Sequence, residues 1–331
     1  MLVGPASQRA LAAVIAALGL GSIAPLLAWV YNLGAFATWF WLTTVPGFLF
    51  MAVVAAIYHR RGEHRALLIA LSAGVLGGVI ATLVYDVVRM PFLVVGYRLF
   101  APINSYGILM TGAPTGSPFT DTLGWTYNFL NGTGFGIAYS MIALGRRWWL
   151  AIPFALGLET MTIVTPYADV YGLRGHLDVI AIAYGAHVFY GAVLGRIVEQ
   201  AGRWHGLDDG PVPTWWVMAG TVLALVVLGH PWSTASYLAP AAAVRPQPAA
   251  VVRAGVFTPE WLRVGVGGCV TLANRDKSAY RLGSPPGAVA LAAGSSHRYC
   301  FPNAGIQRVQ LNQVPYSGGW VIVDPSVRPG A

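Results

Sequence analysis

Six polar side chains interrupt stretches of the chain that are otherwise apolar over about 20 residues, the length that crosses a bilayer as helix. They are Asp86, Arg89, Asn128, Asn131, Glu159 and His187. An ionisable group at membrane depth is expensive to bury, so each such residue raises a functional hypothesis. An isolated carboxyl there stays protonated or finds a partner, which makes Glu159 the best single candidate. Glu159 and His187 are therefore candidates for proton transfer, and Arg89 for binding an anion.

These residues also have structural interpretations. Asp86 and Arg89 are three positions apart, so on a helix they share a face and can neutralise each other. The chain around Asn128 and the chain around His187 share the pattern [NH]-x-x-[NY]-G-x-x-x-G. Small residues at that spacing let helices pack closely, and polar groups then hydrogen-bond across the contact. The match also fits an internal duplication. A metal or haem ligand is a further interpretation of His187, but no H-x-x-x-H or H-x-x-E-H pattern supports it.

Composition identifies the broad class of the protein. The chain is 56% hydrophobic and 10% charged, and its mean hydropathy is +0.60. Soluble domains are about 25% charged, so the sequence predicts a polytopic α-helical membrane bundle. Seven stretches are long enough to span a bilayer; they lie near 11–33, 36–58, 66–89, 122–145, 148–166, 178–200 and 214–234. The first exceeds the usual core of a signal peptide, so we expect a retained helix.

Arginine placement predicts the orientation of this bundle. Short cytoplasmic loops collect Lys and Arg, and three alternate loops carry Arg60 with Arg61, Arg146 with Arg147, and Arg196 with Arg203. We expect these loops and the N-terminus in the cytoplasm, the C-terminal domain outside it, and a membrane of the bacterial inner type. The same arginines account for most of the net charge of +8, so nucleic acid is not an expected partner.

A pattern of strand and turn residues fills positions 256–323. It consists of Phe257, Pro259, Leu262, Val264, Asn274, Gly305 and the closing stretch Trp320–Val323. In this register the segment resembles the cupredoxin family, and the resemblance implies a small all-β sandwich after the helices. An unrelated small β-sandwich is the alternative, because short strands with Gly and Pro turns occur in many such folds.

The same register locates the four copper-ligand positions of the family. They fall at Tyr280, Leu311, Val314 and Ser317. A type 1 site needs two imidazoles and a thiolate with a weak axial sulfur, and none of these donors is present at the four positions. The resemblance therefore implies the fold, but copper and electron transfer are not expected.

The only two cysteines, Cys269 and Cys300, both lie in the cupredoxin-like segment. The resemblance implies that their strands are antiparallel neighbours, and an oxidising compartment lets a disulfide persist. Metal binding by the pair is the alternative, although two thiols lack the three or four ligands of a usual site. The predicted divisions are a transmembrane helical domain over 1–237, a Pro- and Ala-rich linker over 238–252 and an extracytoplasmic domain over 253–331.

Two classes of function fit these features. The first is a non-catalytic membrane subunit whose copper-free domain docks on an extracytoplasmic partner in a larger complex, of respiratory or copper-enzyme type. The second is a membrane-embedded enzyme or carrier that takes a lipid, a quinone or a small solute in an outward-facing polar pocket. The sequence predicts no cofactor for either class. In the second class, a lipid or a quinone would be the bound molecule. A retinal protein is excluded, because the single lysine, Lys277, lies in the C-terminal domain.

Overall fold

The computed structural model describes residues 6–31, 33–95, 97–113, 115–171, 173, 176–204, 249–283, 289–303, 305–312 and 317–324. These residues form two compact units. The first unit contains the described residues of Met1–Phe92, Thr126–Ala168 and Leu173–Ser236. The second contains those of Leu93–Trp125, Asp169–Gly172 and Tyr237–Ala331. An apolar helical region thus precedes a β-domain, and the unit that holds the β-domain also includes the segment 93–125.

Ten α-helices lie in the described part of the chain. They are α1 (Ala6–Leu20), α2 (Ala24–Val30), α3 (Phe36–Trp39), α4 (Val45–Arg61), α5 (Arg65–Val94), α6 (Ala101–Thr111), α7 (Pro118–Ala143), α8 (Ala151–Val164), α9 (Tyr167–Val170) and α10 (Leu177–Trp204). A 3-10 turn over Gly21–Ile23 joins α1 to α2, and a π-helical turn over Phe40–Thr44 joins α3 to α4. A second 3-10 turn, Trp148–Leu150, leads into α8.

Four helical segments are long and apolar enough to cross a membrane. They are Ser7–Val30, Phe36–Arg61, Arg65–Val94 and Leu177–Trp204, which correspond to the predicted spans near 11–33, 36–58, 66–89 and 178–200. The span predicted near 148–166 appears as the shorter apolar helix Trp148–Val164. The span predicted near 122–145 is helical as α7 but is not among the four. The span predicted near 214–234 lies outside the described residues.

Enclosure by protein explains why α7 is less apolar than the others. Its Tyr127, Ile137, Ala138 and Tyr139 are at most 1% exposed. A helix surrounded by other helices gains its stability from close packing and hydrogen bonds, which small and polar residues supply. The asparagines and glycines that lower the hydropathy of α7 are therefore typical of a central helix.

Glycines bring α7 close to α5 and bring α10 close to the start of α8. A Cβ on Gly136 would lie 2.4 Å from the carbonyl oxygen of Gly74, a separation that real Cβ atoms do not show. A Cβ on Gly195 would lie 1.9 Å from the carbonyl oxygen of Trp148. The glycines of the shared pattern thus serve helix packing, as the structural interpretation of that pattern predicted.

Eight strands form the C-terminal β-domain. They are β1 (Ala249–Arg253), β2 (Val256–Gly265), β3 (Cys269–Asn274), β4 (Tyr280–Gly283), β5 (Val289–Leu291), β6 (Ser296–Cys300), β7 (Gly305–Leu311) and β8 (Gly318–Asp324). Their order is β5-β4-β7-β8-β2-β1-β3-β6. The pairs β1–β3 and β2–β8 are parallel, and the other neighbours are antiparallel. The first strand begins at Ala249, inside the range given to the linker.

The core of this domain follows the inward positions of the strands. Phe257, Leu262 and Val264 of the family pattern are at most 7% exposed and pack in one apolar cluster with Val252, Val270, Leu272, Leu282, Leu291, Val309 and Val321. Cys269 and Cys300 face each other across antiparallel β3 and β6 and form a disulfide. The predicted bridge is thereby confirmed, and the metal-binding alternative for the pair does not hold.

The segment 93–125 is fastened to strand β2 within the second unit. The guanidinium of Arg263 donates to the carbonyl oxygen of Ile108 at 3.1 Å and also pairs with Asp324 at 2.6 Å. The amide of Gly116 donates to the carbonyl oxygen of Trp261, and Thr115 makes a single β-bridge with Leu262. The segment is therefore structured and contains helix α6.

Asn274 connects the loop after β3 to the end of β5, and we expect its loss to destabilise the domain. The side chain is fully buried, and its Nδ2 donates to the carbonyl oxygens of Ser278, Leu291 and Ala292 at 2.8 to 3.2 Å. Replacement by Ala leaves buried carbonyls unsatisfied, so Asn274→Ala should lower the free energy of unfolding by about 2 to 4 kcal/mol. Chemical unfolding of the full-length protein in detergent measures this, with the exposed Asn303→Ala as the matched control. Equal stability of the two variants would contradict the assignment.

Candidate functional site

An ion pair lies at the centre of the buried polar residues of the helical unit. Asp86 and Arg89 of α5 are 2% and 6% exposed, and their side chains are joined by a hydrogen-bonded salt bridge. Asn128 of α7 donates from Nδ2 to the second carboxylate oxygen of Asp86 at 3.2 Å. Two helices thus supply the partners of the carboxylate, which offsets much of the cost of burying its charge.

Aromatic contacts extend this pair towards α10 and α8. The guanidinium carbon of Arg89 lies 3.9 Å from the ring centroid of Tyr85, and the Tyr85 ring meets the edge of His187 at 4.7 Å between centroids. Nδ1 of His187 lies 3.4 Å from Oε2 of Glu159 and 2.9 Å from the carbonyl oxygen of Ala183. Glu159 is 4% exposed. Six side chains therefore form one contact path, which runs from Asn128 through Asp86, Arg89, Tyr85 and His187 to Glu159.

The structure brings together five of the six polar residues singled out in the sequence. Asp86, Arg89, Asn128, Glu159 and His187 lie along this path, which we call the polar path. Asn131 lies one turn away on α7 and is 8% exposed, and its Oδ1 has no hydrogen-bond partner among the described residues. Within the described residues no group of three His, Cys, Asp or Glu side chains is arranged to hold a metal ion. An imidazole beside a carboxyl can exchange a proton with it, and the paired arginine can attract an anion.

Two further residues of the helical unit, Tyr85 and Glu199, make contacts that the sequence did not predict. Tyr85 links Arg89 to His187, but a tyrosine in an apolar span gives no sign of which neighbours it meets. Glu199 of α10 is 6% exposed and accepts a hydrogen bond from Arg203 at 2.5 Å. It lies inside the span predicted near 178–200, so the rule that selected Glu159 would also have found it.

Three of the four positions that correspond to copper ligands in the cupredoxin pattern lie among the described residues of the β-domain. All three side chains are engaged in hydrogen bonds or in the apolar core. The Tyr280 hydroxyl donates to Asp276 at 2.6 Å. The Leu311 amide donates to the Ser317 hydroxyl at 2.9 Å, and that hydroxyl donates to the Leu311 carbonyl oxygen at 2.8 Å. Leu311 is 1% exposed and belongs to the core. Val314 lies outside the described residues. A phenol, an alkyl group and a hydroxyl already bonded to the backbone do not fit type 1 copper.

Hydrogen bonds around Asp276 fix the loop that carries the first of these positions. Besides Tyr280, the carboxylate accepts from the amides of Ala254 and Gly255 at 2.9 and 3.1 Å. The Tyr280 hydroxyl and these amides hold the pKa of Asp276 below its ordinary value. The same carboxylate raises the pKa of the Tyr280 phenol. Both pKa shifts favour a neutral Tyr280 phenol beside an ionised Asp276 carboxylate at neutral pH. The hydrogen bond between them holds the loop that carries both residues.

A cleft of about 580 Å³ opens beside these positions within the second unit. Its walls include the apolar side chains of Leu93, Tyr97, Phe100 and Leu311. Its polar lining consists of Arg98, Asn104, Glu260, Tyr280, Asn312 and Ser317. Nη1 of Arg98 and Oε1 of Glu260 are 3.0 Å apart. Volumes of this size are typical of sites for small molecules.

Comparisons with known proteins find a likeness over about a quarter of the chain. No family model and no curated protein matches the chain. Two solved structures match it: a point mutant of amicyanin in its oxidised form and a purple cupredoxin from Nitrosopumilus maritimus. The first is 19% identical, with 25% of this chain and 86% of that chain covered and a TM-score of 0.21. The second is 20% identical, with 24% and 100% covered and a TM-score of 0.20. Likeness at this level assigns no activity to the chain.

Removing one member of the Asp86–Arg89 pair leaves the other charge buried, so each single replacement should be costly. We expect Arg89→Leu to lower the free energy of unfolding by about 3 to 5 kcal/mol. Adding Asp86→Leu should recover much of that loss, because the uncompensated charge is then gone. The measurement is a double-mutant cycle by unfolding of the full-length protein in detergent. Arg61→Leu is the control, since Arg61 is an exposed arginine at the end of α4. Additive effects of the two replacements would contradict the pairing.

Proposed function

We propose that this chain is a non-catalytic, multi-pass subunit of a larger membrane complex, of respiratory or copper-enzyme type. Its copper-free, cupredoxin-like domain docks on an extracytoplasmic partner. The N-terminus lies in the cytoplasm, and the membrane is of the bacterial inner type. The four apolar helices and the arginine-rich loops support this placement. The hydrogen bonds of Tyr280 and Ser317 carry the proposal, because they fix the loops at this end of the domain with the protein's own groups, which suits the end to binding a protein.

The charges of the β-domain support a partner with an acidic surface. Its acidic residues Glu260, Asp276 and Asp324 are all engaged by groups of the same unit. Basic side chains, in contrast, are exposed near the Tyr280 loop: Arg253, Arg275, Lys277 and Arg281. We call these four residues the basic rim. The described strands expose no large hydrophobic side chain, so the contact is polar and is guided by charge.

Mild purification from the native membrane tests this proposal. We expect stoichiometric partner subunits to co-migrate with the protein, and the double variant Arg275→Glu with Lys277→Glu should reduce their recovery at least tenfold, because like charges meet at the contact. The control is Arg298→Glu, which reverses an exposed arginine on β6, outside the basic rim. Mass spectrometry of the purified material measures recovery. A protein that migrates alone, or partners retained equally by both variants, would refute the docking role.

The unbroken polar path favours a second candidate function, an enzyme or carrier that binds a quinone or lipid and moves a proton through Glu159 and His187. Under this function, Glu159→Gln should lower the quinone that remains bound after purification several-fold, because Gln accepts no proton. Solvent extraction and mass spectrometry of the purified protein measure the quinone. The control is Glu63→Gln, an exposed residue of the loop between α4 and α5. Equal quinone content in the wild type and in both variants would exclude this candidate.

A further inference from the structure

The cleft of the second unit contains a carboxylate and a guanidinium, and each of the two has hydrogen-bonding atoms that are not used within the described structure. In the described structure, Arg98 bonds through Nη1 alone, to Glu260 at 3.0 Å and to the carbonyl oxygen of Gly318 at 3.4 Å. A guanidinium has five N–H donors, and the bond to Glu260 uses only Oε1 of the carboxylate. The cleft therefore presents both a positive and a negative group to a ligand.

The charge of the Glu260 carboxylate is only partly compensated by its neighbours. Burial raises the pKa of Glu260, and Arg98 only partly offsets that rise. An ammonium group placed beside Glu260 would supply the missing charge and a hydrogen-bond donor. On the other side, the basic rim residues Arg253 and Arg281 directly precede and follow lining residues Ala254 and Tyr280. A negative group is therefore favoured towards the rim, next to Arg98.

The position of the cleft along the chain relates it to the bilayer surface. Leu93, which lines the cleft, lies in the last turn of α5, a helix long and apolar enough to span a membrane. The next residues, Val94 and Val95, are 89% and 71% exposed. Exposed apolar residues at the end of a span are typical of chain that is still in contact with lipid. A lipid is therefore the class of ligand that we consider, because Leu93 continues an apolar helix into the lining of the cleft.

We propose that this cleft binds a zwitterionic headgroup with a phosphate and a primary ammonium, as in phosphatidylethanolamine. The ammonium bonds to Glu260, the phosphate to Arg98, and Asn104 adds a polar contact from α6. The inference rests on the membrane placement proposed above and not on the partner subunit. Phosphatidylcholine fits less well, because its quaternary ammonium has no N–H to donate. Phosphatidylglycerol offers Glu260 no cation.

Native mass spectrometry of the delipidated full-length protein, titrated with three lipids of the same acyl chains, tests the proposal. We expect phosphatidylethanolamine to bind at least tenfold more tightly than phosphatidylcholine or phosphatidylglycerol. Glu260→Gln should abolish the preference over phosphatidylcholine, and Arg98→Gln should weaken binding of phosphatidylethanolamine. Glu63→Gln and Arg298→Gln are the matched controls and should bind as the wild type does. Should a charge variant fail to fold, Asn104→Leu removes a polar contact without changing charge and should weaken binding several-fold.

A competition arm distinguishes the source of the headgroup. Glycerophosphoethanolamine that displaces the lipid would show that the headgroup alone is recognised, including from solution; failure to displace it would show that the acyl chains anchor the ligand. Equal binding of the three lipids, tightest binding of phosphatidylglycerol, or an unchanged preference in Glu260→Gln would overturn the proposal. Recovery of partner subunits is measured separately and does not enter these outcomes, so the two proposals fail independently.

Discussion

Close backbone contact between helices is the constraint on which the polar path depends. On α5, the glycines at 74 and 78 face Gly132 and Gly136 of α7, where a Cβ would collide with backbone. At that separation the short side chain of Asn128 reaches Asp86 at 3.2 Å. The second contact, of α10 with the start of α8 at Gly191 and Gly195, in turn brings His187 within 3.4 Å of Glu159. Glycines thus determine which polar groups meet, although they carry no chemistry themselves.

The β-domain has the strands that the cupredoxin pattern implies, and hydrogen bonds hold the loops at one end of it. The Tyr280 hydroxyl donates to Asp276, and the Ser317 hydroxyl bonds to the Leu311 backbone, so each loop is held by its own hydrogen bonds. Hydrogen bonds of this kind are directional and fix one loop geometry. A fixed, polar end of this kind would lose little conformational entropy in any binding event.

Local features of the sequence predicted local features of the structure. The three-residue spacing allowed Asp86 to pair with Arg89, and the resemblance to the cupredoxin family implied the bridge between Cys269 and Cys300. The contact of His187 with Glu159 was not predictable as a pair, because it depends on how two helices approach each other. The attachment of segment 93–125 to the β-domain was not predicted either, since one of its contacts, Arg98 with Glu260, joins residues 162 positions apart. Sequence periodicity reports the faces of single elements, whereas such contacts depend on the arrangement of several.

That attachment has a consequence for biosynthesis. The segment around Ile108 leaves the ribosome long before the strand that binds it, since Arg263 follows 155 residues later. At about 5 to 20 residues per second, the early segment waits roughly 8 to 30 seconds for its partner. Its helix α6 and its loop therefore spend that time without the contacts that later hold them. Completion of the second unit is necessarily a late step, which makes it the stage at which a chaperone would have the most to protect.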